Sequence, residues 1–198
     1  MRSSSKDNSK RSTGISGLDY TLDGGILSGT STVVIGSPIS GLDLLARQFW
    51  KTEDEQGSYL MLDADAEEGM DPVHDLPPDR LPERMKGDRI VVDSLSSLVL
   101  TYGIDAAIRF MSDGIRDTLA RRATVLFVVY SGLHAPAEEI RIIRAADNVI
   151  ELRQEVRGNE VIRTLALYKL KGAAVPDRVV PFIITEKGIE LSTTSRVV

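Results

Sequence analysis

The chain reads as a three-layer α/β/α domain with a mostly parallel central sheet that ends in antiparallel hairpin strands. Three observations predict this. Short, almost continuous apolar runs such as Ala123–Tyr130 carry too few polar residues to be half exposed, as in strands covered on both faces. They alternate with stretches of helical apolar spacing, which is the βαβ pattern of a parallel sheet. The last third of the chain then changes to period-two alternation around Gly-containing turns, the mark of hairpins.

The elements follow in order. Residues 1–11 are polar, rich in Ser and Lys, and aperiodic, so they are expected to form a disordered tail. Thr30–Ile35 is a β-branched run ending at Gly36, and Leu44, Leu45, Phe49 and Trp50 then recur at helical spacing, giving strand, loop and helix. A second strand, Ser58–Leu62, runs to Asp63. A third, Arg89–Val92, runs to Asp93. Between them the Pro-rich stretch from Asp71 to Arg84 predicts little regular structure beyond a short helical turn near Leu81–Lys86, and hence a trimmed sheet. Ile104, Ile108, Met111, Ile115 and Leu119 mark one helix face ahead of the Ala123–Tyr130 strand. A helix over Pro136–Ala145 precedes the hairpin of Asn148–Gln154 and Val161–Lys169, which turns at Gly158-Asn159. Val179–Thr185 and Ile189–Leu191 close the sheet. One domain is expected over residues 12–192, with a short C-terminal tail at 193–198.

Composition bounds the function. In 198 residues, 42% hydrophobic content suffices for one sizeable core. A formal net charge of -5 repels phosphate backbones, which argues against a nucleic-acid partner. Arg121, Arg122, Arg141 and Arg144 lack interleaved aromatics and read as solvated helix faces. The absence of cysteine excludes disulfides and thiolate chemistry and fits a reducing compartment. No apolar stretch reaches membrane-span length, so no membrane partner is expected and the location is read as cytoplasmic. His74 and His134 each lack a second ligand at metal-binding spacing and are expected to be surface or loop residues.

A strand, a Gly-rich loop and a helix together form a common phosphate cradle. Here they follow the segment STGISGLDYTLDGGILSG (Ser12–Gly29), which resembles the lead-in of KaiC/RadA-like domains of the RecA superfamily. RIVVDSLSSL (Arg89–Leu98) is similar to that family's Walker B strand. LALYKLKG (Leu165–Gly172) and PFIITEKGIEL (Pro181–Leu191) are similar to its terminal hairpin and closing strands. The resemblance implies a RecA-like P-loop NTPase fold, ATP with magnesium as the family's ligands, and a tendency to oligomerise.

Against that family the loop departs in its chemistry. The family loop is GxxxxGK followed by Ser or Thr. The matching residues are Gly36, Ser37, Pro38, Ile39, Ser40, Gly41, Leu42 and Asp43, so leucine stands for the lysine and aspartate for the hydroxyl. Leucine offers no charge to the β- and γ-phosphates. An aspartate about 5 Å from a phosphate, at an effective dielectric of about 20, is repelled by roughly 3 kcal/mol. With the lost lysine attraction, ATP affinity is expected to fall at least about 1,000-fold. Ile39 stands where a glycine is common, and a β-branched residue resists positive φ.

The remaining family positions are mixed. Asp63 matches the first of the family's paired glutamates and Ala64 the second, with Glu67 and Glu68 a few residues beyond. Asp93 matches the Walker B carboxylate and is the candidate magnesium ligand. It reads equally as a strand-end aspartate bonded to nearby backbone. Lys169 and Lys171 match a K-x-R pair that reaches a neighbouring subunit's nucleotide in hexameric relatives, and read equally as a charged strand edge.

The reading is a pseudo-ATPase that keeps the architecture for a protein partner or for self-association, including homo-oligomers, with no bound cofactor expected. An atypical ATPase using ATP and Mg, and a recombinase-paralogue accessory factor, stand as the alternatives.

Overall fold

The computed structural model describes residues 9–52 and 56–192, and the expected C-terminal tail at 193–198 lies outside them. The strands β1 (Lys10–Arg11) and β2 (Ile26–Leu27) pair with each other, and between them lies helix α1 (Ser16–Thr21). Then come β3 (Ser31–Gly36), α2 (Leu42–Trp50), β4 (Gly57–Met61), β5 (Asp71–Pro72) and β6 (Arg89–Asp93). The second half holds α3 (Leu95–Tyr102), α4 (Ile104–Arg109), α5 (Arg116–Ala120), β7 (Thr124–Tyr130), α6 (Pro136–Ala145), β8 (Asn148–Arg157), β9 (Glu160–Lys169), β10 (Val180–Thr185) and β11 (Gly188–Leu191).

The main sheet has the order β5-β4-β6-β7-β3-β8-β9-β10-β11. Strands β5 through β8 in that order are parallel, and each pairing from β8 onward is antiparallel. This is the mixed α/β sheet the sequence predicts. Alternation along the parallel strands divides the core. Val33, Ile90, Val92, Val125 and Phe127 face one side, where Leu98, Ala107, Phe110, Ile115 and Ile142 of the later helices cover them. Val34, Val91, Leu126 and Val128 face the other, against Leu18 of α1 and Leu45 and Phe49 of α2. The helix α2 meets the sheet through Leu42, Leu45, Ala46 and Phe49, the spacing of one helical face.

Two expectations change. Lys10 and Arg11, assigned to the tail, form β1; residues 1–8 lie outside the described residues. The reason is long-range: one Arg11 guanidinium nitrogen donates to the Asp88 and Arg122 carbonyls at 2.7 and 3.0 Å and to Thr124 Oγ1 at 3.1 Å. The helix face starting at Ile104 is broken, because residues 110–114 form a π-turn in which the Ile115 N–H reaches the Phe110 carbonyl at 3.2 Å. Between β4 and β6 the expected short helical turn is present as a 3-10 turn, Leu81–Arg84, and the described residues add the two-residue β5.

Candidate functional site

The site lies at the carboxyl ends of β3, β4, β6 and β7, where open parallel sheets bind ligands. Gly36 ends β3, and residues 37–40 fold into a closed turn. Both the Ser40 N–H and its hydroxyl donate to the Ser37 carbonyl, at 3.0 and 2.7 Å. Ser40 is fully buried while Ile39 at the tip is 70% exposed. The positive φ of the loop falls on Gly41, at 94°, so Ile39 escapes the strain its branching would impose. A side chain at Gly36 would meet Ser40 Oγ at 2.5 Å and the Leu152 carbonyl oxygen at 2.7 Å. The two glycines of the loop are therefore required by its packing alone.

Leu42 is 2% exposed and belongs to the apolar cluster that holds Val34, Leu45, Phe182 and Ile189. Its side chain is core. Asp43 is exposed in the first turn of α2. Asp93 ends β6 and is 5% exposed. Its Oδ2 accepts a hydrogen bond from the Tyr59 hydroxyl, and its Oδ1 is a buried acceptor with no partner among the described residues. Burial pushes the Asp93 carboxyl up from 3.8 to about 6; the Tyr59 bond opposes this, and the nearby charges of Asp63 and Asp43 add to it. Burial and the Asp93 charge in turn push the Tyr59 hydroxyl far above its ordinary range. Tyr130, at the end of β7, is raised to about 12 by burial and then by Asp93, Asp63 and Asp43. The charges of Asp63 and Asp43 thus bear on the buried Asp93 at the carboxyl ends of the strands.

Asp63 follows β4, and its Oδ2 accepts from the Ser94 hydroxyl at 2.7 Å and from the Ser97 hydroxyl. The Asp93-Ser94 peptide is cis. Ser94 Oγ also caps α3 by accepting from the Ser97 N–H at 3.3 Å. Of the two glutamates that follow, Glu67 pairs with Arg47 of α2 at 2.7 Å. The Arg47 charge opposes the upward shift at Asp93. The sequence reading missed Arg47. The available signal was its i+4 spacing from Asp43, since helical side chains lean toward the N-terminus.

The hairpin lysines stand apart from the loop. Lys169 pairs in register with Val149, near the start of β8, and its ammonium donates to the Arg144 carbonyl at 3.1 Å and to the Ala146 carbonyl at the end of α6. Lys171 donates to Asp147 at 2.9 Å, and the Asp147 carboxylate also accepts the Ser31 N–H at the start of β3. Both therefore sit toward the amino end of β3, whereas the loop sits at its carboxyl end. His134 lies in the loop between β7 and α6, one of the two expected placements, but it is not at the surface. It is 8% exposed, with Nε2 2.8 Å from Ser96 Oγ, which also accepts the Tyr130 N–H at 3.0 Å. His74 is exposed and lies 3.2 Å from Asp75. Among the described residues no group of three or more His, Cys, Asp or Glu side chains is placed to hold a metal ion.

The profile of the KaiC ATPase family matches residues 79–196, more than half of the chain. The chain belongs to the KaiC ATPase family. That match covers β6, with Asp93, and the hairpin of β8 and β9 with the strands that follow, though not the loop. The solved structure of the KaiC-like protein PH0186 from the hyperthermophilic archaeon Pyrococcus horikoshii OT3 aligns at a TM-score of 0.75 and 19% identity. The alignment covers 93% of this chain and 99% of that one. At that identity the likeness establishes the fold, including the mixed sheet of the KaiC-family domain. No curated protein matches the sequence. Among the described residues no helix is long and apolar enough to cross a membrane.

Proposed function

We propose that this KaiC-family domain is a pseudo-ATPase, impaired in binding and hydrolysing ATP, that serves as a regulatory module binding a protein partner or a second copy of itself. The observation that carries this reading is the placement of Leu42 inside the apolar core, with Asp43, Asp63 and Asp93 gathered where a triphosphate would lie. A magnesium triphosphate does not fit such a setting. The loop supplies no cation, the Ser40 N–H is spent on the Ser37 carbonyl, and the nearby Arg47 is already paired with Glu67. The excess of carboxylates opposes a polyanion.

Titration of the full chain with a fluorescent ATP analogue and Mg²⁺ tests the reading. Absent or millimolar binding is expected, and micromolar binding would overturn it. The paired change Leu42→Lys with Asp43→Thr restores the two missing groups. If the rest of the pocket is intact, it should bind ATP at least about 1,000-fold more tightly than the natural sequence.

One observation favours a second reading, an atypical ATPase. Asp93 keeps a buried, unpartnered oxygen at the Walker B position, which suits a magnesium-bound water. Mg²⁺-dependent hydrolysis that is abolished by Asp93→Asn would establish this reading in place of the first.

A further inference from the structure

We infer that a second pocket, remote from the carboxyl ends of the strands, binds a small zwitterion with an apolar body, of the α-amino acid class. It is an open cavity of about 400 Å³ between the Pro77-Pro78 loop and the helical segment that runs from α4 into the π-turn. That volume lies in the range of small-molecule sites.

The lining comes from one helical face: Ala106, then Arg109 and Phe110, then Asp113 and Gly114, with Pro78 and Asp79 opposite. Phe110 is 3% exposed and packs edge-to-face on Phe127 at 6.0 Å, so the apolar floor is anchored in the core. Gly114 keeps the floor open, since a Cβ there would lie 2.8 Å from the Phe110 ring. The opposite wall is a proline held in a turn, with the Arg80 N–H on the Pro77 carbonyl at 2.9 Å. The pocket is preformed.

The rim sets the ligand's charges. Its neighbours are neutralised: Asp113 pairs with Arg116, Arg80 with Glu83, and Arg141 with Asp105. Asp79 and Arg109 have no ion-pair partner among the described residues, although the Arg109 charge is felt by the already paired Asp105 and the Asp79 charge by the already paired Arg80. An unpaired carboxylate on one wall and an unpaired guanidinium on the other, across an apolar floor, match a ligand with an ammonium at one side and a carboxylate at the other. Asp79 takes the ammonium, Arg109 the carboxylate, and the Phe110 floor the apolar body.

This inference goes beyond the pseudo-ATPase reading and stands whichever way the nucleotide titration falls. Its test is calorimetric titration of the full chain with L-phenylalanine and L-leucine. The same series includes phenethylamine, which lacks the carboxylate, and 3-phenylpropionate, which lacks the ammonium. Saturable binding of a zwitterion is expected, weaker by at least about tenfold for either single-charge analogue. The exposed-site changes Asp79→Asn and Arg109→Gln, checked for unchanged thermal midpoints, should each weaken zwitterion binding by a similar factor. No saturable binding, equal binding of a single-charge analogue, or unaltered binding by both variants overturns the inference.

Discussion

At the scale of single residues, Asp93 carries the sharpest consequence. Its carboxyl titrates near 6 in the folded chain and near 3.8 when unfolded, because burial disfavours the charged form. The folded state therefore holds more protons than the unfolded state between these values. The stabilisation is fully present below about pH 4, is lost as pH rises through about 6, and is constant above that. The size is about 3 kcal/mol, from about 1.4 kcal/mol per tenfold change in proton affinity. Asp93→Asn cannot ionise and still offers an oxygen to the Tyr59 hydroxyl. It should match the natural chain near pH 4 and be the more stable of the two at pH 7, as read from urea midpoints across that range. Tyr59→Phe removes the hydrogen bond that favours the charged carboxylate, so its pH-dependent loss should extend above pH 6.

At the scale of elements, the loop and the strand ends were legible in the sequence because their signals are local. Gly36 and Gly41 frame the loop in the chain and in space, and Asp63 and Asp93 follow strands whose apolar runs are read directly. Two changes test the frame. Gly41→Ala must adopt φ near 94° and approach Ile184 at 3.3 Å, a cost of about 1–2 kcal/mol. Gly36→Ala meets the Leu152 carbonyl of the adjacent strand at 2.7 Å, where backbone cannot give way, and should cost about 2–3 kcal/mol. Urea denaturation that ranks Gly41→Ala as the costlier change would contradict this packing.

Elements without a local signal were not legible. The helix α3 begins at a serine cap but is apolar on most sides, so no period reveals it. The π-turn at 110–114 preserves the run of apolar residues while shifting the face they point to. His134 reads as a loop residue, and only its hydrogen bond to Ser96, 38 positions earlier, shows why it is buried.

At the scale of the whole molecule, the chain is tied together by cations that cap carbonyls far away in sequence. Arg11 joins β1 to the starts of β6 and β7, and Arg89, 2% exposed, donates to the Ser12 carbonyl at 2.8 Å and the Phe49 carbonyl at 3.0 Å while its guanidinium lies 5.0 Å from the Phe49 ring. These contacts fix the lead-in segment against the sheet, which is why a tail-like stretch ends in a strand. Arg11→Met fills much of the same volume but leaves the Arg122 carbonyl and Thr124 hydroxyl without their donor, so a loss of about 2–3 kcal/mol is expected. Arg11→Lys keeps the charge but not the planar fork, and should fall between the two. Lys169→Met tests the other end of the molecule, where the ammonium holds the carbonyls that close α6. Its loss, about 1 kcal/mol, should be the same at low and high protein concentration, because these contacts lie within one chain. A loss that grows with concentration would assign Lys169 instead to a contact between copies.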